Sequence, residues 1–127
     1  MQEAKAQSGS RFPFFFTLIA AASLFLAACN SDAPKSDAEL GLNAQQAAGR
    51  QVFDAYCASC HAAYSRGKNG PSLQKIFRRP YLSQSGLPAN DERVGEIIRL
   101  GHGTMPGFGQ ALGLQQQQDL LAYLHTL

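Results

Sequence analysis

The chain has 127 residues, with 11 Lys and Arg against 9 Asp and Glu for a formal charge of +2. That length allows one small domain, and the near balance of charge gives no sign of the basic surface that nucleic-acid binding uses. Three cysteines are too few for a disulfide-built scaffold, and an odd number is awkward in an exported protein.

Residues 1–28 read as a secretory signal peptide. Lys5 and Arg11 give a positive start, and Phe12 to Ala28 is apolar apart from Pro13, Thr17 and Ser23. The run is short for a membrane span, which takes about 20 residues. It ends Leu26-Ala27-Ala28-Cys29, which resembles the lipobox of bacterial lipoproteins. The resemblance implies cleavage before Cys29, diacylation of its thiol, and a new N-terminus there. The alternatives are an uncleaved anchor or an ordinary signal that leaves Cys29 free. Asn30 stands where an aspartate tends to retain proteobacterial lipoproteins in the inner membrane, so its presence leans towards the outer membrane.

Residues 29–43 are polar, small and non-periodic, and read as a lipidated, flexible tether. Such a chain averages about 20 Å end to end and stretches to about 50 Å. Without the leader, nine basic residues face eight acidic ones.

Residues 44–127 remain for the folded part, and their pattern is helical throughout with Gly/Pro-rich connections. A core of this size is marginal alone, so a large buried cofactor would supply apolar contact. Asn43 with Gln46 three residues on forms a capping box, which predicts a helix running to about Cys57. A short helical turn is expected after Ser72. Another helix is predicted from Asn90, with Asp91 and Glu92 favourably placed against its dipole, to Gly101. The last covers roughly Leu114 to Thr126, with Leu120, Tyr123, Leu124 and Leu127 on one face.

The first helix ends in Cys57-Ala58-Ser59-Cys60-His61. Two thiols three residues apart followed by an imidazole form the C-x-x-C-H pattern for covalent attachment of a c-type haem. Each thiol adds across one porphyrin vinyl group, and a short turn presents both to one ring edge. His61 then falls under the iron as an axial ligand. The competing readings are a redox dithiol, half of a zinc site, or a structural disulfide. The first lacks strand–helix alternation, the second lacks a further Cys pair, and the third is strained at this spacing. Two cysteines for haem and Cys29 for lipid would account for all three.

With these motifs the chain resembles the class I monohaem cytochromes c across the whole domain. Gly49 and Phe53 precede the haem motif at the family spacing, and Leu120 and Tyr123 sit three apart in the final helix. The resemblance implies an all-α, small cytochrome c fold: three main helices and short turns wrapped around one covalently bound haem. It also implies that the first and last helices cross at Gly49, where a glycine costs about 1 kcal/mol in a helix unless another backbone must come close. Gly113 departs from the family, which carries a Ser or Thr cap before the last helix.

Gly70-Pro71-Ser72-Leu73 matches the family's G-P-x-L loop. By resemblance the Pro71 carbonyl accepts from the His61 ring N–H and increases its donor strength to iron; the plain alternative is a Gly-Pro turn. Gly103-Thr104-Met105-Pro106-Gly107-Phe108 matches the M-P loop, which implies Met105 as the second axial ligand. A core methionine is the plain alternative. His102 is the competing ligand, and His125 lies too near the chain end to compete.

Arg66, Lys68, Lys75, Arg78 and Arg79 follow one another without an acid between them. Such runs are ordinarily solvated surface; the alternative is a basic rim that steers an acidic partner. Arg79 and Tyr81 are further candidates for contact with haem propionates. The expected function is single-electron transfer at the periplasmic face of a bacterial envelope, by a carrier rather than an enzyme. The expected partners are redox proteins and, through Cys29, the membrane. The chain would act as a monomer, or alternatively as the cytochrome subunit of a dehydrogenase, reductase or oxidase complex.

Overall fold

The computed structural model describes residues 35–127; the expected signal, Cys29 and the first part of the tether, to residue 34, lie outside the described residues. Among the described residues the architecture is helical and without strands, in keeping with the all-α expectation. Helix α1 spans Ala44–Tyr56, a 3-10 turn spans Ile76–Arg78, helix α2 spans Asp91–Leu100 and helix α3 spans Leu114–Leu124.

Helix α1 starts where the capping box requires. Asn43 Oδ1 accepts from the Gln46 N–H at 2.9 Å, and Gln46 Oε1 accepts from the Asn43 N–H at 3.0 Å. Two orphan backbone donors are satisfied reciprocally. Helix α2 starts at Asn90, whose side chain accepts from the Arg93 N–H at 2.9 Å, and stops at Gly101 with φ +83. At the start of α3, Gly113 brings no capping side chain, but its N–H donates to Gln116 Oε1 at 2.9 Å. Half of a capping box thus stands in for the missing Ser or Thr.

The core is the crossing of α1 and α3. A Cβ at Gly49 would overlap the Asp119 carbonyl and lie 2.9 Å from Tyr123 Cβ, so only glycine permits this approach. Phe53 packs on Tyr123 with ring centroids 5.5 Å apart at 54°. Leu120 and Tyr123 are each 1% exposed. Burial, reinforced by the Tyr64 hydroxyl 3.5 Å away, pushes the Tyr123 phenol well above its ordinary range. Val94 and Ile98 of α2 complete the cluster with Leu112, Leu124 and Leu127.

Part of the segment read as tether belongs to this domain. The compact unit begins at Ser36. Turn hydrogen bonds join Leu40 to Ser36 and Leu42 to Asp37, and Leu42 packs against the core. Asp37 Oδ1 lies 2.7 Å from Arg50 Nη1 on α1. The polar composition of the segment hid an anchor that depends on a partner thirteen residues away.

Two connections position the site. The Lys75 N–H donates to the Leu127 carbonyl at 3.0 Å, which ties the 3-10 turn to the chain end. His125 stacks on Phe77 at 3.9 Å and 12°, and its Nε2 lies 2.6 Å from Asp91 Oδ1. A small reversal then brings Tyr81 opposite Pro88, with the Leu82 N–H donating to the Leu87 carbonyl at 2.8 Å and Gly86 at φ +67.

Candidate cofactor site

The haem motif forms one tight turn that continues α1. The N–H groups of Cys57 and Ala58 both donate to the Phe53 carbonyl, and those of Cys60 and His61 both donate to the Cys57 carbonyl at 3.0 and 2.8 Å. Lys68 Nζ, from the basic run, closes over the turn and donates to the Ala58 carbonyl at 2.7 Å. Cys57 is buried and Cys60 exposed, and no disulfide joins them. Burial, with Cys60 beside it, pushes the Cys57 thiol up to about 11. Among the described residues no three His, Cys, Asp or Glu converge on a metal position, which removes support for zinc.

His61 is 8% exposed. Its Nδ1 lies 2.8 Å from the Pro71 carbonyl oxygen. A carbonyl only accepts, so Nδ1 carries the proton and Nε2 keeps a free lone pair. Gly70 is what lets the ring lie there: a Cβ on it would stand 2.5 Å from Cε1, 2.8 Å from Nδ1 and 2.9 Å from Nε2. The Gly70 N–H also donates to the Cys60 carbonyl at 2.8 Å, which binds this loop to the motif.

Cys57, Cys60 and His61 open onto a cavity of about 600 Å³ that Pro71, His102 and Met105 also line. The volume is within the range of small-molecule and cofactor sites. Leu73, Ile76, Leu82, Ile97, Phe108 and Leu124 make much of its wall apolar. Arg79, Tyr81, Ser83, Gln84 and Ser85 add polar groups. Two thiols on one turn, a nitrogen with a free lone pair, a thioether, an apolar wall and a basic side chain form a donor set suited to haem, a flat apolar macrocycle with acidic substituents. The residues fit the group.

The loop that carries Met105 hangs from the end of α2. The Phe108 N–H donates to the Ile98 carbonyl at 2.8 Å and the Gly109 N–H to the Arg99 carbonyl at 3.0 Å. A Cβ at Gly101 would meet the Met105 carbonyl oxygen at 2.5 Å, so the close return requires that glycine. Met105 is half-buried, whereas His102 is exposed. His125 does not line the cavity and is held by Phe77 and Asp91 instead.

Sequence reasoning missed the Tyr81–Pro88 reversal and with it Ser83, Gln84 and Ser85. The signal was present: Ser85-Gly86 between Tyr81-Leu82 and Leu87-Pro88 is a turn between apolar pairs. Of the five basic residues, Arg79 alone lines the cavity, and its Nη2 donates to the Gln74 carbonyl at 3.2 Å.

Fold and site together define a c-type cytochrome domain. Residues 44–124 match the family described as "Cytochrome C oxidase, cbb3-type, subunit III". The chain is 32% identical to cytochrome c6 of Nostoc sp. over 83 residues, 65% of this chain and 71% of that one. It is 30% identical to cytochrome c-551 of Bacillus subtilis (strain 168) over 89 residues, 68% of this chain and 71% of that one. The chain belongs to this family of monohaem cytochromes c, which carry electrons and are not enzymes. Its cofactor is haem c, attached covalently through Cys57 and Cys60.

Proposed function

We propose that the protein is a lipid-anchored electron carrier of the bacterial cell envelope, with His61 and Met105 as the axial ligands of its haem iron. The observation that carries the reading is the 2.8 Å contact between His61 Nδ1 and the Pro71 carbonyl. It leaves Nε2 as a lone-pair donor on the cavity that Met105 also lines. Haem c supplies a one-electron ferric/ferrous couple when bound.

The chain's own residues orient that couple and tune it. Pro71 fixes the His61 tautomer and strengthens its donation. A thioether from Met105 favours the ferrous state relative to a second imidazole. Apolar side chains such as Ile97 and Phe108 exclude water from the pocket, which also favours the less charged reduced site. With His61 and Met105 both ligating, no open position is left for a substrate. Arg79 and Tyr81 support a role at the haem propionates because both line the cavity.

The lipobox supports an extracytoplasmic position with lipid on Cys29, and Asn30 leans towards the outer membrane. Donor and acceptor would be redox proteins met at that membrane. Arg66, Lys68, Lys75, Arg78 and Arg79 are exposed and form no ion pair among the described residues, which suits an acidic partner. A second reading, a cytochrome subunit of an oxidase complex, is favoured by the description of the matching family; stable co-purification with such a complex would select it.

The oxidised and reduced spectra of the haem-loaded protein test the ligation. The ferric sulfur-to-iron charge-transfer band is expected in the wild type and lost in Met105→Ala, and its persistence in the variant overturns Met105. Cys29→Ser is expected to release the protein into the soluble fraction, and a variant that stays with membranes ends the lipid-anchor reading.

A further inference from the structure

His102 and Met105 are partners across a two-residue turn. The His102 N–H donates to the Met105 carbonyl at 3.1 Å, and the Met105 N–H donates to the His102 carbonyl at 3.0 Å. Residues directly opposite in such an antiparallel pair carry their side chains on one face, with Cβ atoms about 5 Å apart. Both residues line the cavity. The sequence separates them by three positions; the fold sets them side by side.

Three further observations bear on what His102 can do. Gly101 at φ +83 and Gly103 at φ +60 flank it, and a Cβ at Gly103 would meet nothing within 4 Å, so His102 has a glycine at positive φ on either side. The imidazole is exposed, and among the described residues no protein group hydrogen-bonds to it. His125 is engaged elsewhere, between Phe77 and Asp91.

We propose that His102 is a reserve axial ligand: where the Met105 thioether leaves the iron, the His102 imidazole takes the position. The inference rests on the reading of Met105 as the resident ligand. A tethered imidazole beside the site acts at an effective concentration on the order of millimolar. It therefore competes with solvent and with small external ligands for an opened position. Two imidazoles give a lower potential than an imidazole with a thioether, so the loop holds two coordination states, one a better oxidant than the other.

The test compares the haem-loaded wild type, Met105→Ala and the Met105→Ala/His102→Ala double variant. The wild type is expected to show the ferric sulfur-to-iron charge-transfer band, which fixes Met105 as resident. Met105→Ala is expected to be six-coordinate and low-spin by absorption and electron paramagnetic resonance, and the double variant five-coordinate and high-spin. Added imidazole is expected to bind the double variant at least about tenfold more tightly than Met105→Ala, since His102 competes in the latter. It should also return the double variant to the low-spin spectrum, which is the folding control. Pulsed resonance of Met105→Ala carrying isotope-labelled histidine counts the ligating imidazoles without the double variant: two support the proposal and one overturns it. A high-spin Met105→Ala overturns the reserve role, as does a low-spin state that survives in the double variant. A wild type without the charge-transfer band overturns the Met105 reading itself, and with it the word reserve.

Discussion

The cavity has two kinds of wall, and they are held in opposite ways. On one, His61 is held by backbone groups of the motif turn and of the Gly70-Pro71 loop. The motif turn grows out of α1 through the Phe53 carbonyl, the Gly70 N–H holds the Cys60 carbonyl, and Pro71 holds the ring itself. On the other, Met105 ends a two-residue turn that begins with Gly103 at positive φ, tied back to α2 by the Phe108 and Gly109 N–H groups. The first wall is over-determined, so a disturbance there spreads into the fold. The second is set by a loop, so a disturbance there stays local. Any change of ligand in this protein therefore belongs to the second wall.

The strongest way to break that contrast is Gly49→Val. Gly49 lies behind the first wall, and its new side chain would meet the backbone of Asp119, which no rotamer relieves. A loss of more than about 3 kcal/mol is expected, read as a large fall in the melting temperature of the haem-loaded protein. An unchanged melting point would mean that α1 and α3 do not cross there. Gly70→Ala comes next. The added methyl displaces the His61 ring and breaks its bond to Pro71, with an expected loss of about 2 kcal/mol. A weaker imidazole donor stabilises ferric iron less, so the reduction potential is expected to rise. Spectroelectrochemical titration reads the direction, and a potential that falls would deny Pro71 its tuning role.

The two walls were also unequally legible in the sequence. Cys57, Cys60 and the Asn43 capping box could be read directly, because short spacings and local caps encode them, whereas the crossing at Gly49 was implied by the family resemblance. The chemistry at Met105 could be matched to a loop, but its pairing with His102 could not, since that depends on the turn type and not on the residues at its ends. Residues 36–42 were hidden for a different reason: an ion pair from Asp37 to Arg50 and a single apolar contact from Leu42 leave no periodic trace. The Tyr81–Pro88 reversal fell between these cases, with a turn signal but strands reduced to one bridge. What the sequence conceals is geometry between segments, and the second wall consists largely of that.

The smallest effect is expected at Gly103→Ala, and it is the sharpest test of the comparison. The substitution meets no neighbour, since nothing lies within 4 Å of the added Cβ, but the residue sits at φ +60. Its cost is therefore backbone strain alone, about 1–2 kcal/mol. If the Met105 wall is local, the loop can relieve much of that strain by shifting without disturbing the α1–α3 crossing. The melting temperature of the haem-loaded protein is then expected to fall by only about 5 °C. The charge-transfer band assigned to the Met105 bond is expected to weaken, and carbon monoxide or cyanide to bind faster than in the wild type. A Gly103→Ala protein destabilised as much as Gly70→Ala would show that the loop is built into the core. The two walls would then be held alike, and the argument for a movable second ligand would lose its ground.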